Sequence, residues 1–325
     1  MTDLPVVSVK GQELLGQFGL TPKAPPVIDA SMLSTFMDCP SKFYLRYVLG
    51  LRPRRKDPSK DGNLDWGTCW HETMFAFMEA REGMLKERMV AGLQALEAFY
   101  PTYLTPDVDR MKRSKDRMIQ QFFAYAKQWI PKEGDYDILR NEQYFDVLGA
   151  SGLRWCGRMD SLRRVRRNGK IRVWDYKSTK AMGATYFDQF EVSFQFPGYV
   201  WATSQMMTDD VFEITVDVMY TVSKDLPPEK TFFERTFRYD AARLLEWETN
   251  VLMNVNRILE MLDKYLYQPE MWAKNWGDCT RYGKCRFFVV HSLNPRGQGR
   301  LLELRDNFEL SRWDPSAVAG EETDQ

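Results

Sequence analysis

Residues 157–177 read G-R-M-D-S-L-R-R-V-R-R-N-G-K-I-R-V-W-D-Y-K, two β-patterned runs on either side of Asn168-Gly169. Asn-Gly between such runs is the strongest short-range hairpin signal, because both residues tolerate the positive φ that a type I′ turn demands. A two-residue loop predicts that Arg167 faces Lys170, Asp160 faces Lys177 and Leu162 faces Asp175. Opposed residues share a face, and so do residues two apart on one strand. Asp160, Asp175 and Lys177 are therefore expected on one side of the hairpin. The two carboxylates then lie on a diagonal, with Cβ atoms roughly 7 Å apart or a little less. Metal–oxygen distances of about 2.0–2.1 Å let two such carboxylates converge on one Mg²⁺ or similar ion, with an ammonium beside it. Turn type and parity alone place a catalytic constellation.

The chain has 325 residues and 44% hydrophobic content, enough to bury this hairpin in one large domain or two small ones. Lysine plus arginine (45) balance aspartate plus glutamate (45), so any nucleic-acid surface must be local. No apolar run is long enough to span a bilayer, and the start M-T-D-L-P-V-V lacks a secretory pattern. A cytoplasmic location and no membrane partner are expected. Five cysteines without a secretory context favour metal ligation over a disulfide framework.

Along the chain, residues 1–27 read as a flexible or loosely docked arm, 28–296 as the functional domain and 297–325 as a tail ending in a polar, acidic, frayed segment. Within the domain the texture is helical over 28–135, β-rich over 136–240, and helical with a cysteine cluster over 241–296. A helix begins near Ser31 or Ser34, and Pro40 kinks it or separates two short ones. After the basic run L-R-P-R-R-K-D-P-S-K, the stretch G-T-C-W-H at residues 67–71 is expected to open a second helix reaching Met78. Further helices are expected over 84–99 and 109–129, the latter with Lys112, Arg113 and Lys115 facing solvent.

A strand is predicted over 138–148, followed by a turn at 149–152. A three-residue loop with Gly152 at positive φ would set Glu142 opposite Asp160; a two- or four-residue loop would turn it away. Pro197 is tolerable only in a first turn, so the helix within 186–207 should become regular near Phe196. Gln195 and Tyr199, four apart, would share one face of it. Strands over 211–223 and 231–238 and a helix over 241–267 complete an α/β fold: a central mixed sheet of four or five strands flanked by helices. No G-x-x-x-x-G-K-[ST] occurs, so no nucleotide-driven motor is built in.

Asp175-Tyr176-Lys177 is the only acidic-x-lysine triplet in the chain. Together with G-T-C-W-H at 67–71, Gly157-Arg158-Met159-Asp160, and Gln195 followed by Tyr199, it resembles the PD-(D/E)XK nuclease superfamily, specifically its RecB-like branch with the CRISPR-associated exonucleases. The resemblance covers most of residues 28–293, and Met159 stands where the superfamily's name has proline. It implies that His71, Asp160, Asp175 and the carbonyl of Tyr176 hold Mg²⁺ or Mn²⁺. Lys177 would then orient or deprotonate the attacking water, with Gln195 and Tyr199 supporting the site and touching a DNA strand. An acid on the preceding strand, here Glu142, is often part of the set.

Cys279 and Cys285 resemble the C-terminal cysteine cluster of the iron–sulfur subset of these nucleases. That resemblance adds Cys39 as a ligand and puts His291 where a further cysteine should fall. It implies a 4Fe–4S cluster, with zinc as the alternative for three cysteines and one histidine. Cys69 and Cys156 fit no ligand spacing and read as small core residues. Basic side chains at 163, 164, 166 and 167 and at 52, 54, 55 and 56 are candidate phosphate contacts.

The expected activity is that of a metal-dependent DNA exonuclease acting on single strands or free ends. The rival from another class is a catalytically silent DNA-binding or assembly subunit. Either could sit in a repair, phage-replication or CRISPR-adaptation complex.

Overall fold

The computed structural model describes residues 15–16, 19–54, 62–100, 114–207, 211–221, 226–281, 283–294 and 298–314. In chain order the main elements begin with α1 (Ala30–Asp38), α2 (Pro40–Phe43), β1 (Leu51–Pro53), α3 (Gly62–Glu79), α4 (Leu85–Phe99) and α5 (Lys115–Glu133). There follow β2 (Tyr136–Leu148), β3 (Arg154–Val165), β4 (Ile171–Thr179), α6 (Asp188–Glu191), α7 (Gln195–Met206), β5 (Val211–Tyr220) and β6 (Phe232–Arg238). The chain closes with α8 (Ala241–Tyr265), α9 (Phe288–Ser292), α10 (Gln298–Asn307) and β7 (Phe308–Leu310). It divides into two compact units, one from segments 1–55, 148–156 and 246–325, the other from 56–147 and 157–245. No helix among the described residues is long and apolar enough to cross a membrane.

The second unit carries a five-stranded sheet in the order β2-β3-β4-β5-β6. β3 and β4 are antiparallel, β4 and β5 parallel, and β5 and β6 antiparallel, so the sheet is mixed as expected. The parallel step needs a crossover, and α6 with α7 supplies it. Trp66, Trp70, Met74 and Phe77 of α3, with Phe122, Tyr125 and Trp129 of α5, bury against Trp174 and Tyr176 of β4. Edge-to-face contacts such as Trp129–Trp174 at 5.7 Å lock the ring orientations. Cys69 is enclosed in this cluster, as a small core residue should be.

The β3–β4 connection corrects the two-residue loop. Arg164 pairs with Ile171, Arg163 with Arg172 and Leu162 with Val173, two residues out of the expected register. The loop is residues 166–169, closed by Val165 N–H donating to Lys170 O at 2.8 Å. Gly169 sits at φ +69, but Asn168 is not among the residues with positive φ, so no type I′ turn forms. Val165 O instead accepts from both Asn168 N and Gly169 N, and Asp135 O holds the Arg166 N–H at 2.9 Å. Continuing the register sets Asp160 across from Asp175, not from Lys177. A shift of two preserves parity, so the shared face survives the error.

α3 begins at Gly62, ahead of the start expected at Gly67. Gly67 lies inside the helix, where an added methyl carbon would touch Ser178 Oγ of β4 at 3.4 Å. That is an ordinary contact distance, and the residue one turn on is His71. The start of the helix expected from residue 109 falls partly outside the described residues, along with Lys112 and Arg113. α5 itself starts behind an N-cap, Ser114, whose hydroxyl accepts from Arg117 N at 3.0 Å.

In the first unit, Asp29 caps α1 by accepting from Met32 N at 2.8 Å. Cys39 is extended (φ −163, ψ 103) before Pro40, which separates α1 from α2 rather than kinking one helix. Phe43 and Tyr44 pack on Trp272 at 6.0 and 5.0 Å. Leu20 and Val27 are buried, so that part of the expected arm is docked. The tail is ordered as α10 and β7 up to residue 314; β7 pairs antiparallel with β1, and Phe308 stacks on Phe287 at 5.1 Å. A lone two-stranded pair is marginal in water, and the buried stack supplies what the ladder lacks. Residues 315–325 lie outside the described residues.

Candidate active site

β2 and β3 turn through residues 150–152, a three-residue loop with Gly152 at φ +85, closed by Gly149 N–H on Leu153 O at 2.9 Å. That is the connection for which Glu142 falls opposite Asp160. Ser161 Oγ on Asn141 Oδ1 at 3.0 Å repeats the same pairing one step along. Glu142 itself has φ +45, a left-handed backbone that costs about 1–3 kcal/mol in a non-glycine residue.

Asp160 of β3 accepts the Tyr176 backbone N–H at 2.6 Å and stands 3.3 Å from His71 Nδ1. One ligand atom from each of His71, Glu142 and Asp160 lies within 4.8 Å of the other two. On the next turn of sequence, Lys177 Nζ is 2.7 Å from Asp175 Oδ2. Asp175 is buried to 2% side-chain exposure, whereas His71 (29%) and Lys177 (27%) reach solvent. The reactive edge is therefore open at the imidazole and the ammonium, with the acids set behind them. Asp175 is not part of the three-residue donor group, although its charge bears on both His71 and Asp160.

Burial alone would raise the Asp160 carboxyl, but the His71 charge and hydrogen bond, with Lys177 and Tyr176 N–H, hold it below the usual carboxylate range. Burial would likewise neutralise His71, yet Asp160 outweighs it and lifts the imidazole to about 9. Glu142 is pushed up to about 8 by burial and by the Asp160 charge. Asp175 is pushed up to about 6 by burial, against the pull of Lys177. Two carboxylates of divergent character beside a charged lysine form an acid–base set.

The donor set tests well for a hard divalent cation. One imidazole nitrogen and two carboxylates converge, and the protons held on His71 and Glu142 stand where positive charge is wanted.

α7 starts at Gln195 and carries Pro197 in its first turn, as expected; Gln195 Nε2 donates to Tyr199 OH at 2.8 Å across one helical turn. The Tyr199 ring meets Phe145 edge-on at 5.8 Å. Gly157, first residue of G-R-M-D, sits under both rings: an added Cβ would come within 2.8 Å of Phe145 Cζ and 3.2 Å of Tyr199 Cε1. Gly157→Ala is expected to cost about 1–3 kcal/mol by overpacking and to slow any reaction that uses Tyr199. Urea unfolding checks the first effect and steady-state kinetics the second.

The basic runs need correction. Arg163 is fully buried, its guanidinium 4.0 Å from the Trp174 ring centroid and 4.3 Å from that of Trp129, so it cannot reach a phosphate. Arg166 is ion-paired to Asp137 at 2.7 Å, Arg164 is half-buried, and Arg167 is exposed. Arg52 lies across from Glu309 in the β1–β7 pair and Arg54 Nε donates to Phe308 O at 3.1 Å, while Arg55 and Lys56 lie outside the described residues.

Sequence reasoning missed an inner polar network behind the site. Arg163 donates to Tyr176 OH at 2.5 Å and to Ser161 Oγ at 3.2 Å, and Tyr125 OH donates to Asp217 Oδ2 at 2.7 Å. Burial pushes Asp217 up to about 6, against the Tyr125 hydrogen bond that favours its charged form. The signal was available: Asp217 is an acid inside the apolar strand V-F-E-I-T-V-D-V-M-Y. Tyr176 belongs to both layers, with its hydroxyl in this network and its N–H on Asp160.

Cys39, Cys279 and His291 are buried and Cys285 is half-buried, all within the first unit. Ser41 Oγ lies 3.1 Å from His291 Nε2, Cys285 N donates to Cys279 O at 2.8 Å, and the charges of Cys285 and Cys39 both bear on Cys279. The three cysteines thus share one neighbourhood and His291 is held by Ser41, two residues after Cys39, without the tight spacing of the His71, Glu142 and Asp160 group.

A search of characterised protein sequences finds no significant match. A candidate exonuclease from Eubacterium rectale is similar at 12% identity, over 87% of this chain and 94% of its own, with a TM-score of 0.44. The alkaline exonuclease LHK-Exo from Laribacter hongkongensis is similar at 13% identity, over 62% of this chain and 94% of its own, with a TM-score of 0.28. The sequence profile of the PD-(D/E)XK nuclease superfamily matches residues 28–287, a span that holds the mixed sheet together with His71, Glu142, Asp160, Asp175 and Lys177. The chain belongs to the PD-(D/E)XK nuclease superfamily.

Proposed function

We propose that the chain is a Mg²⁺- or Mn²⁺-dependent deoxyribonuclease that degrades DNA from free ends, with a preference for single strands. The observation that carries this reading is the His71, Glu142 and Asp160 donor group lying beside the Asp175–Lys177 pair. His71, Asp160 and Glu142 would hold the cation, with Asp175 and the Tyr176 carbonyl completing its surroundings. When bound, the cation supplies Lewis-acid charge at the scissile phosphate and makes water acidic enough to react near neutral pH. Lys177, fixed by Asp175 and open to solvent, orients the attacking water and donates to the oxygen on which negative charge develops. Asp160 stays ionised throughout, because His71 and the Tyr176 N–H favour its charged form. Gln195 and Tyr199 stand as a pair to steady the strand at the site's edge.

The test is digestion of end-labelled linear and covalently circular DNA, each single- and double-stranded, with Mg²⁺, Mn²⁺ or a chelator. Linear DNA should be shortened from its ends and circles left intact, with all activity lost to the chelator. Cleaved circles would overturn the end requirement, and inert linear DNA the enzyme itself, leaving the assembly-subunit role.

A pH dependence follows from the same geometry. In the metal-free site His71 (about 9) and Glu142 (about 8) hold protons at pH 7. A cation must expel them, so its affinity rises with pH. Each proton released contributes about tenfold per pH unit. Calorimetric titration with Mn²⁺ at pH 7, in buffers of different ionisation enthalpy, is expected to show between one and two protons released. Metal binding without proton release would contradict the assignment of His71 and Glu142.

The reading extends to the cysteine site, where Cys39, Cys279, Cys285 and His291 would hold a 4Fe–4S cluster. Such a cluster ties segments far apart in sequence and has a structural role in this account. Iron and sulfide analysis of anaerobically purified protein distinguishes it from zinc at the same groups. Repair, phage-replication or CRISPR-adaptation complexes are the settings such a nuclease fits, and cytoplasm the compartment.

A further inference from the structure

We infer that His291 is a ligand through Nδ1, with Ser41 holding its Nε2–H, so that the cluster carries one nitrogen ligand in a fixed tautomer. The inference rests on the cluster reading above and adds the atom, the supporting residue and the electronic consequence. His291 is 3% exposed, and its Nδ1 is buried without a hydrogen-bond partner. An orphaned buried polar atom costs about 1–3 kcal/mol, so its retention calls for a partner that the protein atoms do not supply. The other nitrogen is accounted for: Ser41 Oγ lies 3.1 Å from Nε2, and Ser41 is itself buried. A neutral imidazole has one N–H and one lone pair. The tautomer that fits a ligand donates Nε2–H to Ser41 Oγ and leaves the lone pair on Nδ1.

Hydrogen bonds tie the His291 segment to those that carry the cysteines. Ser41 follows Cys39 by two residues, and its N–H is fixed on Ala273 O at 2.9 Å. Cys285 N donates to Cys279 O at 2.8 Å and Phe288 N to Cys285 O at 2.9 Å, which leads directly into α9 and His291. The Ser41–His291 contact therefore joins the segment bearing Cys39 to the segment bearing Cys279 and Cys285. Among metal-ligating histidines, a hydrogen bond on the second nitrogen is the device that sets tautomer and ring orientation. Three thiolates and a neutral imidazole carry one negative charge fewer than four thiolates, which raises the potential of the bound cluster relative to an all-cysteine site.

The chain contains two histidines, so labelling with ¹⁵N-histidine is close to site-specific. The full chain, labelled and reconstituted anaerobically with iron and sulfide, is reduced and examined by pulsed electron paramagnetic resonance. A strong ¹⁵N coupling is expected in wild type. It should vanish in His291→Cys, which keeps four irons and shows a lower reduction potential. Ser41→Ala should keep the coupling but lose its cluster to a chelator about tenfold faster. A fully loaded wild type without nitrogen coupling, or His291→Ala with unchanged iron and spectrum, overturns the ligand assignment and leaves the cluster standing. A wild type that takes up no iron overturns the cluster reading and this inference with it.

Discussion

Lys177→Met is expected to slow phosphodiester cleavage by about 10²–10⁴-fold, the range set by loss of a positioned acid–base group. Methionine keeps the bulk of the stem and removes only the ammonium that sits 2.7 Å from Asp175 Oδ2. Asp175→Asn is expected to lose a similar factor, since it releases Lys177 from its position. The two changes act on one unit, so the double variant should be little slower than either single one. Lys177→Met also removes the charge that opposes burial at Asp175, so its carboxyl should move above about 6, the value it has with the lysine present. The sign follows: a folded-state acid with a raised pKa loses stability as pH climbs through the window between its unfolded and folded values. Wild type shares that loss up to about pH 6, so relative to wild type Lys177→Met should be no further affected below about pH 6 and progressively less stable above it. Single-turnover kinetics and urea unfolding across that range check both statements. A variant that cleaves at the wild-type rate would remove Lys177 from the chemistry.

Arg163→Ala is expected to destabilise the fold by about 3–5 kcal/mol, the range for truncating a large, fully buried side chain. The guanidinium lies between the Trp174 and Trp129 rings, at 4.0 and 4.3 Å, and donates to Tyr176 OH and Ser161 Oγ. Alanine empties that space and removes one hydrogen-bond partner from each of the two hydroxyls. Because Arg163 is buried, the salt dependence of DNA binding should not change in any variant that still folds, such as Arg163→Met. A phosphate contact would instead lower the slope of log K against log salt by about 0.7–0.9. Equilibrium unfolding in urea decides the first point and a salt titration of binding the second. Wild-type stability for Arg163→Ala would contradict the buried network.

The parts of the site legible in sequence are those governed by parity. Asp160, Asp175 and Lys177 were placed on one face by counting, and a register error of two residues left that result intact. Glu142 depended on one loop length, and Gly152 at φ +85 settles it. The turn itself was misread because Asn-Gly specifies φ > 0 at two residues, whereas here only Gly169 adopts it. The Arg166 N–H bond to Asp135 O competes for the loop, and a local pattern cannot register such a tertiary partner. Arg163 was misread for a related reason. A run of arginines looks like a solvated face, but in a strand alternate members point inward, and an aromatic slot between Trp129 and Trp174 captures this one. The ordered α10–β7 segment was hidden because its sequence is polar, and its stability comes from β1 and Phe287, far away along the chain.

The most direct test of the central claim is the rate of cleavage of end-labelled linear single-stranded DNA as Mn²⁺ is raised, for wild type and Asp160→Asn side by side. Wild type should rise from no activity in chelator to a saturating rate. Asp160→Asn, which removes the ionised member of the His71, Glu142 and Asp160 group, should need about 10–100-fold more Mn²⁺ or fail to saturate. Cleavage that persists in chelator, or an Asp160→Asn curve that overlays wild type, would contradict a metal-dependent site built on these three residues.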